Sequence, residues 1–157
     1  MEYRAYGNTG LKLSLLGFGC MRLPMKDEHV VEDEAIRMLR YAIDHGVNYI
    51  DTAFFYCNHE SEVVVGKALK DGYREKVTLS TKNPVHEPDG KKWRQTLDEQ
   101  LRKLDVDKID VYHFHGIGWD EWIEKFIVPG GPADEMRRAL KEGIVTHCAF
   151  SFHDKPE

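Results

Sequence analysis

The sequence predicts an α/β fold of the (β/α)8 barrel type, present in part: about five βα units preceded by a β-hairpin. Three observations carry this reading. Apolar runs of strand character alternate with stretches of helical period along the whole chain, an order that demands parallel strands joined by right-handed crossovers. Three of the runs end in an ionisable residue, at Asp51, Lys82 and His115. Catalytic groups contributed by several strand ends mark the mouth of a barrel. Finally, an open dinucleotide-binding sheet carries a Gly-rich phosphate loop after its first strand, whereas Gly17-Phe18-Gly19 lacks a third glycine and a directly following helix. A complete barrel needs eight strands and about 250 residues. Five strands in 157 residues make a partial barrel with two unpaired sheet edges, for which self-association is an expectation.

Tyr3, Tyr6, Leu11 and Leu13 flank Gly7-Asn8-Thr9-Gly10, which predicts a hairpin over residues 3–14. Residues 15–20 read as a short buried strand whose glycines admit another backbone, and 21–31 as a connecting loop holding Pro24. From Glu32, the spacing of Ala35, Ile36, Leu39, Ala42 and Ile43 predicts a helix stopped by Gly46. The strand ending in Asp51 follows. Ser61 is the expected N-cap of a second helix bearing Val64, Val65, Ala68 and Leu69 and ending near Gly72. After the Lys82 strand comes a loop with Pro84, Pro88 and Gly90. A third helix runs from about Lys92 to Leu104, its stripe formed by Trp93, Leu97, Leu101 and Leu104. The His115 strand leads into a long connection with Trp119, Trp122 and Phe126, where a short helix fits. Asp134 is the expected cap of a fourth helix closed by Gly143, and residues 144–152 read as a fifth strand. With no repeat, low-complexity tract or linker, residues 1–157 form one unit.

Composition narrows the function. Net charge is −5, from 22 basic and 27 acidic residues, so there is no electrostatic reason to expect nucleic acid or an anionic membrane as partner. The N-terminus lacks an apolar h-region, and no run is long enough to span a membrane. Cys20, Cys57 and Cys148 are widely spaced and odd in number, which argues against a disulfide framework or structural zinc and for a reduced, cytoplasmic setting.

The strand ends carry the chemistry. A free phenol titrates near pKa ~10, too high to exchange protons readily at neutral pH. A lysine ammonium beside Tyr56 would stabilise its phenolate, and an aspartate would hold that lysine charged and in place. A histidine at the same mouth can hydrogen-bond a substrate oxygen. Asp51, Tyr56, Lys82 and His115 together would deliver a proton to an oxygen atom but supply no electrons, so a reduction requires a hydride carrier such as a nicotinamide.

The motifs Asp51-Thr52-Ala53-x-x-Tyr56, Ser80-Thr81-Lys82 and Asp110-x-Tyr112-x-x-His115 resemble the tetrad motifs of the aldo-keto reductases. Tyr6-Gly7-Asn8-Thr9-Gly10-Leu11 with Ser14, Leu16 and Gly17 is similar to that family's hairpin and first strand, and Ser61-Glu62-x-x-x-Gly66-x-Ala68-Leu69 to its second helix. The resemblance covers essentially the whole chain, in family order. It implies the amino-terminal part of a TIM barrel that reduces a small aldehyde or ketone with NADP(H). Tyr56 would be the general acid, Lys82 and Asp51 would tune it, and His115 would orient the carbonyl. It further implies cofactor contacts at Cys20, Met21, Asp51 and Ser151. Phe152 stands where the family often has asparagine, and the run 149–154 resembles a bacterial branch.

Two other readings stand beside this one. His113 and His115 share a strand face and so form an H-x-H pair that a metal-dependent hydrolase would use, given further ligands. Alternatively, the chain is a non-catalytic module that keeps the tetrad and binds no cofactor. Trp119, Trp122 and Phe126 read equally well as a substrate wall or as the apolar stripe of a covering helix.

Overall fold

The computed structural model describes residues 1–155; Pro156 and Glu157, the end of the predicted unit, lie outside them. Tyr3–Ala5 (β1) and Lys12–Ser14 (β2) pair antiparallel across the Gly7–Gly10 turn, as the sequence predicts. Asn48 ties this hairpin to the body, accepting from the Ser14 N–H at 2.7 Å and donating to the Lys12 carbonyl at 2.9 Å.

The predicted strand over 15–20 shrinks to Phe18–Gly19 (β3), and Leu15 and Leu16 are exposed. Gly17 does admit a close neighbour: a Cβ there would meet the Tyr49 ring at 3.2 Å. The expected loop over 21–31 is more ordered than its composition suggests. Cys20–Arg22 form a 3-10 turn, then Met25–Lys26 (β4) and His29–Val30 (β5) pair as a second small hairpin.

Glu32–Asp44 (α1) buries Ala35, Leu39 and Ile43, and Gly46 follows at φ +92°. After Tyr49–Asp51 (β6) comes Ser61–Ala68 (α2), which buries Val64, Val65 and Ala68. Ser61 begins this helix but does not cap it. Its hydroxyl turns to the Cys20 carbonyl (2.9 Å) and Thr52 Oγ1 (2.8 Å), joining α2 to the strand ends.

Thr78–Pro84 (β7) leads to Gly90–Leu104 (α3), which starts two residues earlier than its apolar period shows because Asp89 accepts from the Lys91 and Lys92 N–H groups. Ile109–Ile117 (β8) runs past His115, with a register irregularity between Phe114 and Ile117 and Gly116 at φ +66°. Trp119–Glu121 (α4) and a π-turn over Trp122–Phe126 fill the long connection. Pro132–Glu142 (α5) is set by Gly131 and Pro132 at its first turn. Asp134 lies inside it and accepts from Gly130 N–H, so it is not the cap. Gly143 ends α5 at φ +78°, and Val145–Phe152 (β9) closes the described fold.

The main sheet is parallel with order β3-β6-β7-β8-β9, leaving β3 and β9 as its edges. Successive crossover helices pack on each other, α1 on α2, α2 on α3 and α3 on α5, over one side of the sheet. The core lies between these layers, around Leu39, Val65, Leu79, Leu97, Leu104 and Ile109. Among the described residues, no helix is long and apolar enough to cross a membrane.

Candidate active site

Parallel pairing aligns the C-terminal ends of the strands and decides which side chains meet. Gly19 lies opposite Asp51, Asp51 opposite Ser80, and Lys82 opposite His113. Side chains alternate along a strand, so Ser80 and Lys82 of β7 share the face toward Asp51 while Leu79, Thr81 and Asn83 face the helices.

Lys82 is the centre of the cluster. It is 8% exposed, and its ammonium donates to Asp51 Oδ2 at 2.5 Å, the Thr52 carbonyl at 2.9 Å and the Tyr56 hydroxyl at 3.1 Å. All three ammonium protons thus have acceptors. The other Asp51 oxygen accepts from Ser80 Oγ at 2.9 Å, which fixes the carboxylate plane. The His115 ring stands edge-on to the Tyr56 ring, centroids 6.0 Å apart and planes at 86°. Burial first, and the Lys82 charge second, hold the His115 imidazole below its ordinary pKa, so it is neutral at pH 7 and carries one N–H donor.

Tyr56 is presented by an unusual backbone. Cys57, Asn58 and His59 follow it with φ of +51°, +52° and +69°, a left-handed turn built from L-residues without glycine. The β4–β5 hairpin supports it. Asn58 donates to the Glu28 carbonyl at 2.9 Å, and Glu60 accepts from the Val30 N–H at 2.7 Å. The Cys57 thiol points at the Cys20 and Met21 carbonyls.

The structure therefore brings Asp51, Tyr56, Lys82 and His115 together at one strand-end mouth. The other candidates fall around it. Cys20 is fully buried, and burial pushes its thiol well above the ordinary range. Met21 beside it is exposed. Ser151, near the end of β9, accepts from the Gly116 N–H at 2.7 Å, next to His115. Neither ring nitrogen of His113 has a hydrogen-bond partner among the described residues, and burial holds its pKa low. No group of three or more His, Cys, Asp or Glu side chains among the described residues is placed to hold a metal ion. Trp122 and the buried Phe126 pack on Phe114 and so belong mainly to the core, while Trp119 is exposed.

Ser80 was not among the sequence candidates. The signal for it was present: it lies two residues before Lys82, hence on the same face of the strand. The Thr52 carbonyl had no signal, since any residue there supplies one.

Residues 15–157 match the model of the Aldo/keto reductase family. The chain is 32% identical over 155 residues to the probable aldo-keto reductase 1 of Glycine max, covering 92% of this chain and 43% of that protein. It is similar to the holo form of an aldo-keto reductase from Bacillus halodurans, at 31% identity and a TM-score of 0.80, over 97% of this chain and 50% of that one. An aldo-keto reductase from Klebsiella pneumoniae, solved in complex with NADPH, is 27% identical with a TM-score of 0.75, over 92% and 47% of the two chains. The chain thus spans about half the length of these relatives, and its five-stranded arc is part of a (β/α)8 barrel.

Proposed function

This chain belongs to the aldo/keto reductase family, and from that premise we propose that Asp51, Tyr56, Lys82 and His115 form the proton-delivery site of an NADP(H)-dependent reduction of a small aldehyde or ketone. The observation that carries the proposal is the Lys82 ammonium held between the Asp51 carboxylate and the Tyr56 hydroxyl.

The Tyr56 O–H donates its proton to the substrate oxygen. The phenolate left behind is stabilised by the Lys82 ammonium 3.1 Å away, and the Asp51 carboxylate holds that ammonium in place. His115, neutral through burial, donates an N–H to the same substrate oxygen and so orients the carbonyl without competing as an acid. NADP(H), when bound, supplies the hydride. The exposed Met21 and the Ser151 hydroxyl stand at the same strand ends as the cluster, so the residues present fit the nicotinamide end of such a cofactor; the other proposed contacts are Asp51 and the backbone at Cys20. A relative solved with NADPH supports the choice of carrier.

Fluorescence titration with NADPH, followed by a carbonyl screen, tests this reading. Saturable binding with turnover lost in Tyr56→Phe and binding kept is the expected result. A folded chain that binds no NADPH at any protein concentration would overturn it.

One observation favours a second reading, an assembly unit that acquires a cofactor site only on self-association. Phe150 and Phe152 are exposed on edge strand β9. On that reading, NADPH affinity rises with chain concentration alongside a larger mass in light scattering.

A further inference from the structure

Behind Lys82, on the opposite face of β7, lies a polar cluster inside the apolar layer between sheet and helices. Glu62 of α2, Thr81 of β7, Gln100 of α3 and Tyr112 of β8 are each at most 1% exposed. Glu62 Oε1 accepts from Thr81 Oγ1 at 2.7 Å and from Gln100 Nε2 at 2.5 Å. Gln100 Nε2 also donates to the Lys82 carbonyl at 3.0 Å. The Tyr112 hydroxyl donates to Gln100 Oε1 at 2.5 Å. A donor on that oxygen fixes which way the amide points, and therefore directs the NH2 group at Glu62 and Lys82.

Burying four polar side chains is costly unless each is satisfied, and an apolar set of similar shape would fill the same layer without that risk. Two residues earlier on the same face of β7, Leu79 packs apolarly and fully buried. The switch from apolar to polar occurs where the strand reaches Lys82. The carbonyl of Lys82 accepts from both Gln100 Nε2 and the Phe54 N–H (3.2 Å), so it is held from α3 and from the loop that carries Tyr56. The first two residues of α2 divide the work: Ser61 bonds Thr52 Oγ1, and Glu62 bonds Thr81. The carbonyl of Thr52 is itself an acceptor for the Lys82 ammonium.

We propose that Glu62 and Gln100, oriented by Tyr112, are positioning residues that lock the backbone at Thr81 and Lys82 and so aim the Lys82 ammonium at Tyr56. This rests on the tetrad reading for its meaning in catalysis but not for its test. The geometry assigns Glu62 the role of hydrogen-bond acceptor through Oε1. Burial raises its carboxyl above the ordinary range, and Glu62→Gln keeps the accepting oxygen in an uncharged side chain of the same shape.

The test uses the full chain uniformly labelled with 15N, the Lys82 ammonium signal being assigned by its loss in Lys82→Met. Proton exchange is read at that ammonium, at the Phe54 amide and at the Leu39 amide in α1, which reports global opening. Gln100→Leu is expected to raise exchange at Lys82 and Phe54 about tenfold, the scale of one lost buried hydrogen bond, while Leu39 changes less than about twofold. Tyr112→Phe keeps the ring and should give about threefold if Gln100→Leu fails to fold; Glu62→Gln should leave all three sites within about twofold. Exchange at Lys82 that stays at the parent value, or that rises only in step with Leu39, overturns the proposal. The reading needs no turnover, so a chain without reductase activity would count against the function above and leave this result intact. In an active chain, Gln100→Leu and Tyr112→Phe lower kcat while KM for the carbonyl holds, and Glu62→Gln leaves both near the parent values.

Discussion

Two strands of the same sheet, β7 and β9, share direction and differ by one residue in length, yet lie in opposite surroundings. Every residue from Thr78 to Asn83 is buried, since β7 has a strand on each side and α2 and α3 behind it. Along β9, burial alternates, and Cys148, Phe150 and Phe152 on one face are exposed. They line an apolar groove of about 280 Å3 with Phe114, Trp119 and Trp122. Apolar sequence alone does not bury a strand; a covering layer and a second neighbour do. The proposed site follows the same division, because Lys82 lies on an enclosed strand, whereas Ser151 sits on an open one.

The largest contrast is in turnover. Tyr56→Phe or Lys82→Met should lower it by about 10²–10⁴-fold, the usual worth of a positioned proton donor, while Ser151→Ala changes NADPH affinity more than rate. Steady-state kinetics with a fluorescence titration checks this, and equal losses at both strands would erase the distinction. Next comes stability. Leu79→Ala should cost about 2–5 kcal/mol in urea denaturation, and Phe150→Ser no more than about 0.5 kcal/mol. A large cost at Phe150 would mean that β9 is covered in solution by another chain.

The pH effects are smaller. Burial holds the imidazoles of His113 and His115 below 6.5, so the folded state binds those protons less readily than the unfolded chain. The stability linked to them is full above pH 6.5 and is lost as pH falls through the folded values. His113→Asn should make that acid limb shallower in denaturation midpoints measured between pH 7 and 5. Glu62 has the opposite sign. Its carboxyl is raised above 4.5, chiefly by burial, so its favourable contribution is full below 4.5 and is lost as pH rises through the folded value. Glu62→Gln should therefore gain on the parent as pH increases from about 4.5, read as a difference in midpoint.

Asp51, Lys82 and His115 were legible because each ends an apolar run, and Gly46 and Gly143 because a left-handed residue must end a helix without a Cβ penalty. What the residue types could not show was where a short polar side chain turns. Ser61 and Asp134 have the right chemistry for caps, yet one bonds sideways to Thr52 and the other back to Gly130. Asp89, the cap that does form, was hidden by Pro88 and Gly90, which read as loop. Gly90 is glycine for a packing reason, since a Cβ there would lie 2.4 Å from the Gly130 carbonyl. Glu62 and Gln100 are 38 residues apart, and no local pattern announces a contact made only when two crossover helices pack side by side.

The left-handed turn after Tyr56 sets thermal robustness against chemistry. L-residues in that conformation carry a penalty of roughly 1–2 kcal/mol each, and glycine carries none. An engineer selecting variants on melting temperature alone would be drawn to His59→Gly. That change would also delete the ring packed edge-on against Phe54 and Phe55, at 5.0 and 5.3 Å, and free the loop that presents the phenol. With Tyr56 in its proposed role, heat-challenge libraries of this chain should thus enrich hardier variants with weaker proton delivery, unless each round is also screened for turnover.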